Sequence, residues 1–153
     1  MKFQVTLVAA VAALAIAAPA AANETRVEAR GGMSFGNSQS EEFVGGVAAG
    51  YDFDIGDNGF VGVEASLDKV FIDNSGVVLG GGARIGAREG NFKLFVAAGY
   101  TDFTCDFCGD AVHAGAGLEL DLSEKIYGKL EYRHFFVDGI DSNVVATGVG
   151  IRF

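Results

Sequence analysis

IYGKLEYRHFF, residues 126–136, is the stretch on which the reading of this chain turns. Lys129, Glu131 and Arg133 fall on alternate positions, with Ile126, Leu130 and Tyr132 between them. A β-strand sends successive side chains to opposite faces. One face of this strand is therefore charged and the other apolar. What matters is which face meets the surroundings, and whether those surroundings are water.

The alternation recurs along the chain. After residue 22, clusters of Gly, Asn, Asp and Ser mark off the segments 25–35, 43–55, 60–68, 77–88, 92–103, 111–122, 126–136 and 144–153. Each is close to the ~9–11 residues of a tilted membrane-spanning strand. GDNG (56–59), EGN (89–91) and SEK (123–125) read as tight turns. NSQSEE (37–42), KVFIDNSG (69–76), TCDFCGD (104–110) and VDGIDSN (137–143) read as longer loops. Long and short connections in alternation predict an up-and-down barrel with both termini at the short-turn, periplasmic end.

Parity then sorts the side chains. One face collects Val27, Met33, Val47, Tyr51, Phe53, Val63, Leu67, Ile85, Leu94, Val96, Val112, Leu120, Leu130, Tyr132, Val149 and Ile151. The other collects Glu28, Arg30, Asp52, Asp54, Glu64, Asp68, Arg84, Arg88, Lys93, Glu119, Asp121, Lys129, Glu131, Arg133 and Arg152. Small residues such as Gly46, Ala48, Gly50, Gly82, Gly115, Gly117 and Gly150 sit between those charges. A soluble barrel would turn its charges to water, and its outer face would have no reason to be rich in strand-weakening Gly. Inside an eight-stranded barrel space is scarce, and long charged side chains fit only beside small neighbours. The two signs are also nearly balanced, as buried charges must be. The charged face therefore points into the lumen and the apolar face into lipid. Aromatic residues near the strand ends form two belts: Phe53, Phe92, Tyr127 and Phe153 at one interface, Phe35, Phe43, Phe103 and Phe136 at the other.

The first residues fit this destination. Lys2, the apolar run Val5–Ala18, the break at Pro19 and Ala20-Ala21-Ala22 read as a signal peptide over 1–22, leaving a barrel domain over 23–153. The formal net charge is −9, or −10 without Lys2, and no basic patch invites nucleic acid. Beyond residue 22 no stretch is long and apolar enough for a membrane helix.

The whole of 23–153 resembles the small eight-stranded outer-membrane β-barrels of the OmpA-like, OmpX-like and opacity-protein-like group. The residues that carry the likeness are the signal peptide, the alternating strands and the terminal segment VVATGVGIRF ending at Phe153. The resemblance implies the outer membrane of a Gram-negative-type cell, a lipid and lipopolysaccharide environment, and a monomer. It also implies that Phe153, with Ile151, Val149 and Val145, is the signal read by the outer-membrane assembly machinery. The fold hosts many roles, so function must come from particular residues.

Depth along the strands divides the lumen charges. Glu28, Arg30, Glu64, Arg84, Glu119, Glu131 and Arg133 are expected at middle to upper depth. Asp54, Arg88, Lys93, Asp121, Lys129 and Arg152 are expected nearer the periplasm. They form either a closed salt-bridge core or a narrow ion path, and the scarce interior favours the core. Cys105 and Cys108 in CDFC are expected to form a loop disulfide, as an oxidising compartment permits. A zinc reading that recruits His113 lacks a fourth ligand, so no metal or other cofactor is expected. His113 and His134 have no serine beside them in a strand motif, which argues against a lipid-editing enzyme. His134 is expected to face outward near the headgroups. GGGARIG (80–86) lacks both the spacing and the helix of a nucleotide loop. The acidic loops read as solvated surface. The expectation is a non-enzymatic structural or surface protein, with a low-conductance porin-like channel or a surface adhesion protein as the alternatives.

Overall fold

The computed structural model describes residues 23–36, 39–71, 76–103, 110–137 and 140–153. Among these the regular elements are strands: β1 (Asn23–Gly36), β2 (Gln39–Ile55), β3 (Gly59–Val70), β4 (Val77–Glu89), β5 (Phe92–Phe103), β6 (Asp110–Asp121), β7 (Ile126–Val137) and β8 (Ile140–Arg152). Each pairs antiparallel with its sequence neighbours, and β8 returns to β1 to close the barrel. Closure leaves no unpaired edge within the wall, which hydrocarbon surroundings demand.

Two residues of opposite chain ends fasten the seam. The Phe153 amide donates to the Thr25 carbonyl at 2.9 Å, and the Thr25 amide donates back at 3.3 Å. Gly56 and Gly90 take positive φ values of 64° and 57° in the periplasmic turns, where a side chain would be strained.

Strands are longer than the apolar segments, because pairing continues past the membrane on the external side. The expected loops 37–42 and 137–143 are largely wall. β2 begins at Gln39, opposite Gly36, and Glu42 pairs with Ser34 across a bulge. Val137 pairs with Ile140, so β7 and β8 run almost to their turn. Backbone hydrogen bonding overrides the polar composition of these stretches. The alternation of long and short connections thus holds only at 71–76 and 104–109, and the closed eight-strand order carries the fold instead. Residues 1–22, and Cys105 and Cys108 with their expected disulfide, lie outside the described residues.

Side chains follow parity. Val47, Ile85, Leu94, Val96, Leu130 and Val149 are exposed on the outer face. Tyr51 stays on that face but is largely covered, its ring edge-on to Phe53 at 4.7 Å. Phe43, Phe92, Phe136 and Phe153 are exposed as the belts require. Tyr127 is not one of them: it is wholly buried and points into the lumen. It shares the parity of Lys129, and the glycine opposite it, Gly150, leaves room for its ring, which a Cβ there would overlap. Phe95 occupies the space left by Gly117 in the same way, and the Arg26 guanidinium lies where a Cβ on Gly50 would come within 2.5 Å.

This wall predicts strand-rich circular dichroism in detergent micelles and heat-modifiable migration on a denaturing gel. A detergent-independent soluble monomer would contradict it.

Candidate functional site

The lumen is filled by one continuous ion-pair network. Eight cations, Arg26, Arg30, Arg84, Arg88, Lys93, Lys129, Arg133 and Arg152, face eight anions, Glu24, Glu28, Asp52, Glu64, Asp68, Glu119, Asp121 and Glu131. All ten residues proposed from sequence for the lumen lie within it: Glu28, Arg30, Glu64, Arg84, Arg88, Glu119, Lys129, Glu131, Arg133 and Arg152. Desolvated charges are tolerable only when paired, and the formal charge of this set is zero.

At the periplasmic end, Glu24 receives Lys93 Nζ at 2.6 Å, Arg88 Nη2 at 3.1 Å and Arg152 Nε at 3.2 Å. Arg152 also donates to Glu119 at 2.8 Å and to Asp121. Arg26 and Arg152 are cross-strand partners of like charge. They coexist because their anions differ: Arg26 takes Glu28, Asp52 and Glu64, whereas Arg152 takes Glu24, Glu119 and Asp121.

The middle layer is driest. Arg84 Nε and Nη2 donate to the two oxygens of Asp52 at 2.9 and 2.5 Å, and Nη1 donates to Glu119. This fork geometry is the strong mode of Arg–carboxylate pairing. Glu119 sits opposite Lys93 and Lys129 in register, which brings it against Arg84 in this layer. Inward aromatics close the layer. The Arg84 guanidinium carbon lies 5.1 Å from the Phe60 centroid and 4.9 Å from that of Phe95, and Arg152 lies 4.4 Å from that of Tyr127. The Tyr127 hydroxyl donates to Glu28 at 2.9 Å.

On the external side, Arg30 bonds Asp68 at 2.8 and 2.5 Å, and Arg133 spans Glu64 at 2.8 Å and Glu131 at 2.5 Å. Between this layer and the middle one lies a cavity of about 20 Å³ touched by Glu64, Ser66, Arg84, Phe95, His113 and Arg133. That is room for about one water. His113 is buried there, its Nδ1 2.9 Å from Thr101 Oγ1. Asp54 alone of the expected lumen charges is exposed, at the rim. His134 lies on the outward parity, where its Nδ1 and the Tyr132 hydroxyl both meet Asn143 Oδ1, at 2.9 and 2.6 Å.

Sequence reasoning passed over Glu24, Arg26, Phe60, Phe95 and the inward role of Tyr127. Parity was the available signal. Glu24 and Arg26 alternate with Glu28 and Arg30, Phe60 with Glu64, Phe95 with Lys93, and Tyr127 with Lys129.

A closed antiparallel barrel, apolar outside and ionic within, defines a transmembrane β-barrel of the outer-membrane kind. The chain belongs to the family described as Outer membrane protein beta-barrel domain, whose profile matches residues 6–153. It is therefore a protein of the Gram-negative outer membrane. Three solved structures share the fold. Ail, the attachment invasion locus protein of Yersinia pestis, is 13% identical with a TM-score of 0.59, covering 86% of this chain and 99% of its own. The N-terminal β-barrel domain of Pseudomonas aeruginosa OprF is 17% identical with a TM-score of 0.57, covering 85% and 97%. The outer membrane enzyme PagL is 14% identical with a TM-score of 0.51, covering 80% and 97%. No curated protein sequence matches the chain.

Removing Arg84 leaves Asp52 and Glu119 buried without their main partner. Arg84→Ala is expected to cost about 3–5 kcal/mol in urea unfolding from micelles. Arg88→Ala, at a side chain 40% exposed, is expected to cost only about 0–1 kcal/mol.

Proposed function

We propose that this protein is a non-enzymatic structural or surface component of the outer membrane, with a lumen closed to ions. The observation that carries the reading is the middle layer: Arg84, Asp52, Glu119, Phe60, Phe95 and Tyr127 fill the cross-section with side chains held by several partners each. An eight-stranded barrel has an interior just wide enough for its own side chains. Opening a path would mean breaking paired charges in a dry interior, at several kcal/mol for each one stranded.

Support for a non-catalytic role comes from the histidines. His134, at the lipid-facing surface where a lipid-editing site would work, is engaged by Asn143, which also accepts from the Tyr132 hydroxyl, rather than by a nucleophilic serine. His113 bonds Thr101 inside the lumen, away from any lipid substrate. PagL, an enzyme on the same fold, shows that the fold alone does not decide the matter.

Surface contact is the second reading. Ail, on the same fold, is named for attachment and invasion. In this chain the β1–β2 and β7–β8 hairpins prolong the wall on the external side, and Glu41 and Glu42 keep that rim acidic. Lipid and lipopolysaccharide are the partners of the outer face. The assembly machinery is the partner of the last strand, where Phe153 is 74% exposed beside the seam.

Planar-bilayer recording tests the closed lumen. No discrete unitary currents are expected from the wild type; regular steps that change when Glu64 or Arg84 is replaced would favour the channel alternative. For the assembly role, Phe153→Ala is expected to lower the heat-modifiable fraction recovered from outer membranes in cells. Refolding of the same variant into micelles is expected to be affected less.

A further inference from the structure

Glu28, Glu64 and Glu131 converge from β1, β3 and β7, each with a carboxylate oxygen within 4.8 Å of the other two. Oxygens so placed can surround one centre at roughly the 2.3–2.6 Å of calcium–oxygen bonds, a range that small hard cations share. The centre is already taken. The Lys129 ammonium contacts Glu28 Oε1, lies 2.9 Å from Glu131 Oε2 and 3.7 Å from Glu64 Oε2.

Two further features mark the cluster as a cation cage rather than an ordinary salt bridge. Glu28 Oε1 and Glu131 Oε2 belong to side chains almost wholly removed from solvent, and neither is aligned with a hydrogen-bond donor among the described residues; nor is the ammonium aligned with an acceptor. The attraction is thus one of point charge to converging oxygens. The outer oxygens are occupied separately: Arg133 holds Glu131 Oε1 and Glu64 Oε1, and Arg26 faces Glu28 Oε2, while Glu64 Oε2 is shared between Lys129 and Arg26 Nη2 at 2.8 Å. Glu28 Oε1 and Glu131 Oε2 have the ammonium as their nearest cation. Glu64 is 14% exposed at its side chain, and with Glu131 it also borders the lumen cavity beside Arg84.

We propose that Glu28, Glu64 and Glu131 form a binding site for one small monovalent cation, which the ammonium of Lys129 fills as a tethered occupant. Charge fixes the valence. Without Lys129 the lumen network keeps seven cations against eight anions, a deficit of one, which a sodium-sized ion restores and a divalent ion overshoots. A vacated site also has a competing remedy, because protonation of one carboxyl restores neutrality too.

Lys129→Met keeps the bulk of the side chain and removes the charge. The variant is refolded from urea into micelles at alkaline pH in sodium chloride or in choline chloride of equal ionic strength, with the heat-modifiable band as readout. The folded-to-unfolded ratio is expected to rise nearly in proportion to sodium concentration once the site begins to fill, and to stay low in choline. The wild type, its site filled, and Glu64→Gln/Lys129→Met, its charges rebalanced, are expected to show no sodium preference. Equal folding of Lys129→Met in both salts, or folding in neither, overturns the proposal. So does a sodium preference in either control, or rescue by lowered pH alone.

Discussion

The structure depends on neutralising charge where no water can do it. Lipid lies outside the wall, and the middle of the lumen is packed too tightly for solvent. Every ionised group there must find its counter-charge on another strand. The paired sets, eight of each sign, meet that requirement. The twelve acids outside the network, against Lys69 and Lys125, give the chain beyond residue 22 its whole excess of −10. Of these, Glu41, Asp54, Asp57, Glu89, Asp110 and Glu124 are exposed at strand ends and turns, where water is at hand. The sorting of charge into a neutral interior and an acidic periphery is therefore dielectric: excess charge is cheap only in a high-dielectric medium.

Packing solves the accompanying problem of volume. Several bulky inward side chains have a residue without a side chain across the strand pair: Tyr127 over Gly150, Phe95 over Gly117, Arg26 over Gly50. Glycine weakens a strand in isolation. Here the loss is offset by inter-strand bonding on both sides and by the aromatic and guanidinium groups that the gap admits. Those aromatics act as low-polarity spacers between like charges. Arg84 touches both Phe60 and Phe95, and Lys93 lies 4.7 Å from the Phe60 centroid.

Most of this was legible in residues 126–136, because a period of two is a geometric property of extended chain and needs no tertiary information. What misled was residue type. Tyr127 reads as a belt aromatic by composition, yet its position in the alternation puts it beside Lys129 and inside. Arg26 and Glu24 extend the charged parity of Glu28 and Arg30 toward the chain start. The loops 37–42 and 137–143 look like loops because polar residues dominate them. A strand that leaves the membrane has water on its outer side, so composition ceases to distinguish it from a turn. Which carboxylate meets which cation was not legible at all. Strand tilt and register shift depth by several residues around the barrel, which is why Glu119 meets Arg84 from β4 and Arg152 from β8 at once.

The seam between β1 and β8 has a consequence for the history of the chain. Arg152 reaches Glu24, Glu119 and Asp121, and Tyr127 bonds Glu28 across 99 positions of sequence. Contacts of such span are slow to form, since the entropy of closing the loop is lost before the contact is gained. The acidic partners of Arg152 are thus committed long before the cation arrives. Until it does, Glu24 keeps Lys93 and Arg88, Glu119 keeps Arg84, and Asp121 alone of the three has no cation among the described residues. The last strand thus arrives at an interior that is one positive charge short of neutral, and its docking closes the wall and the electrostatic balance in a single event.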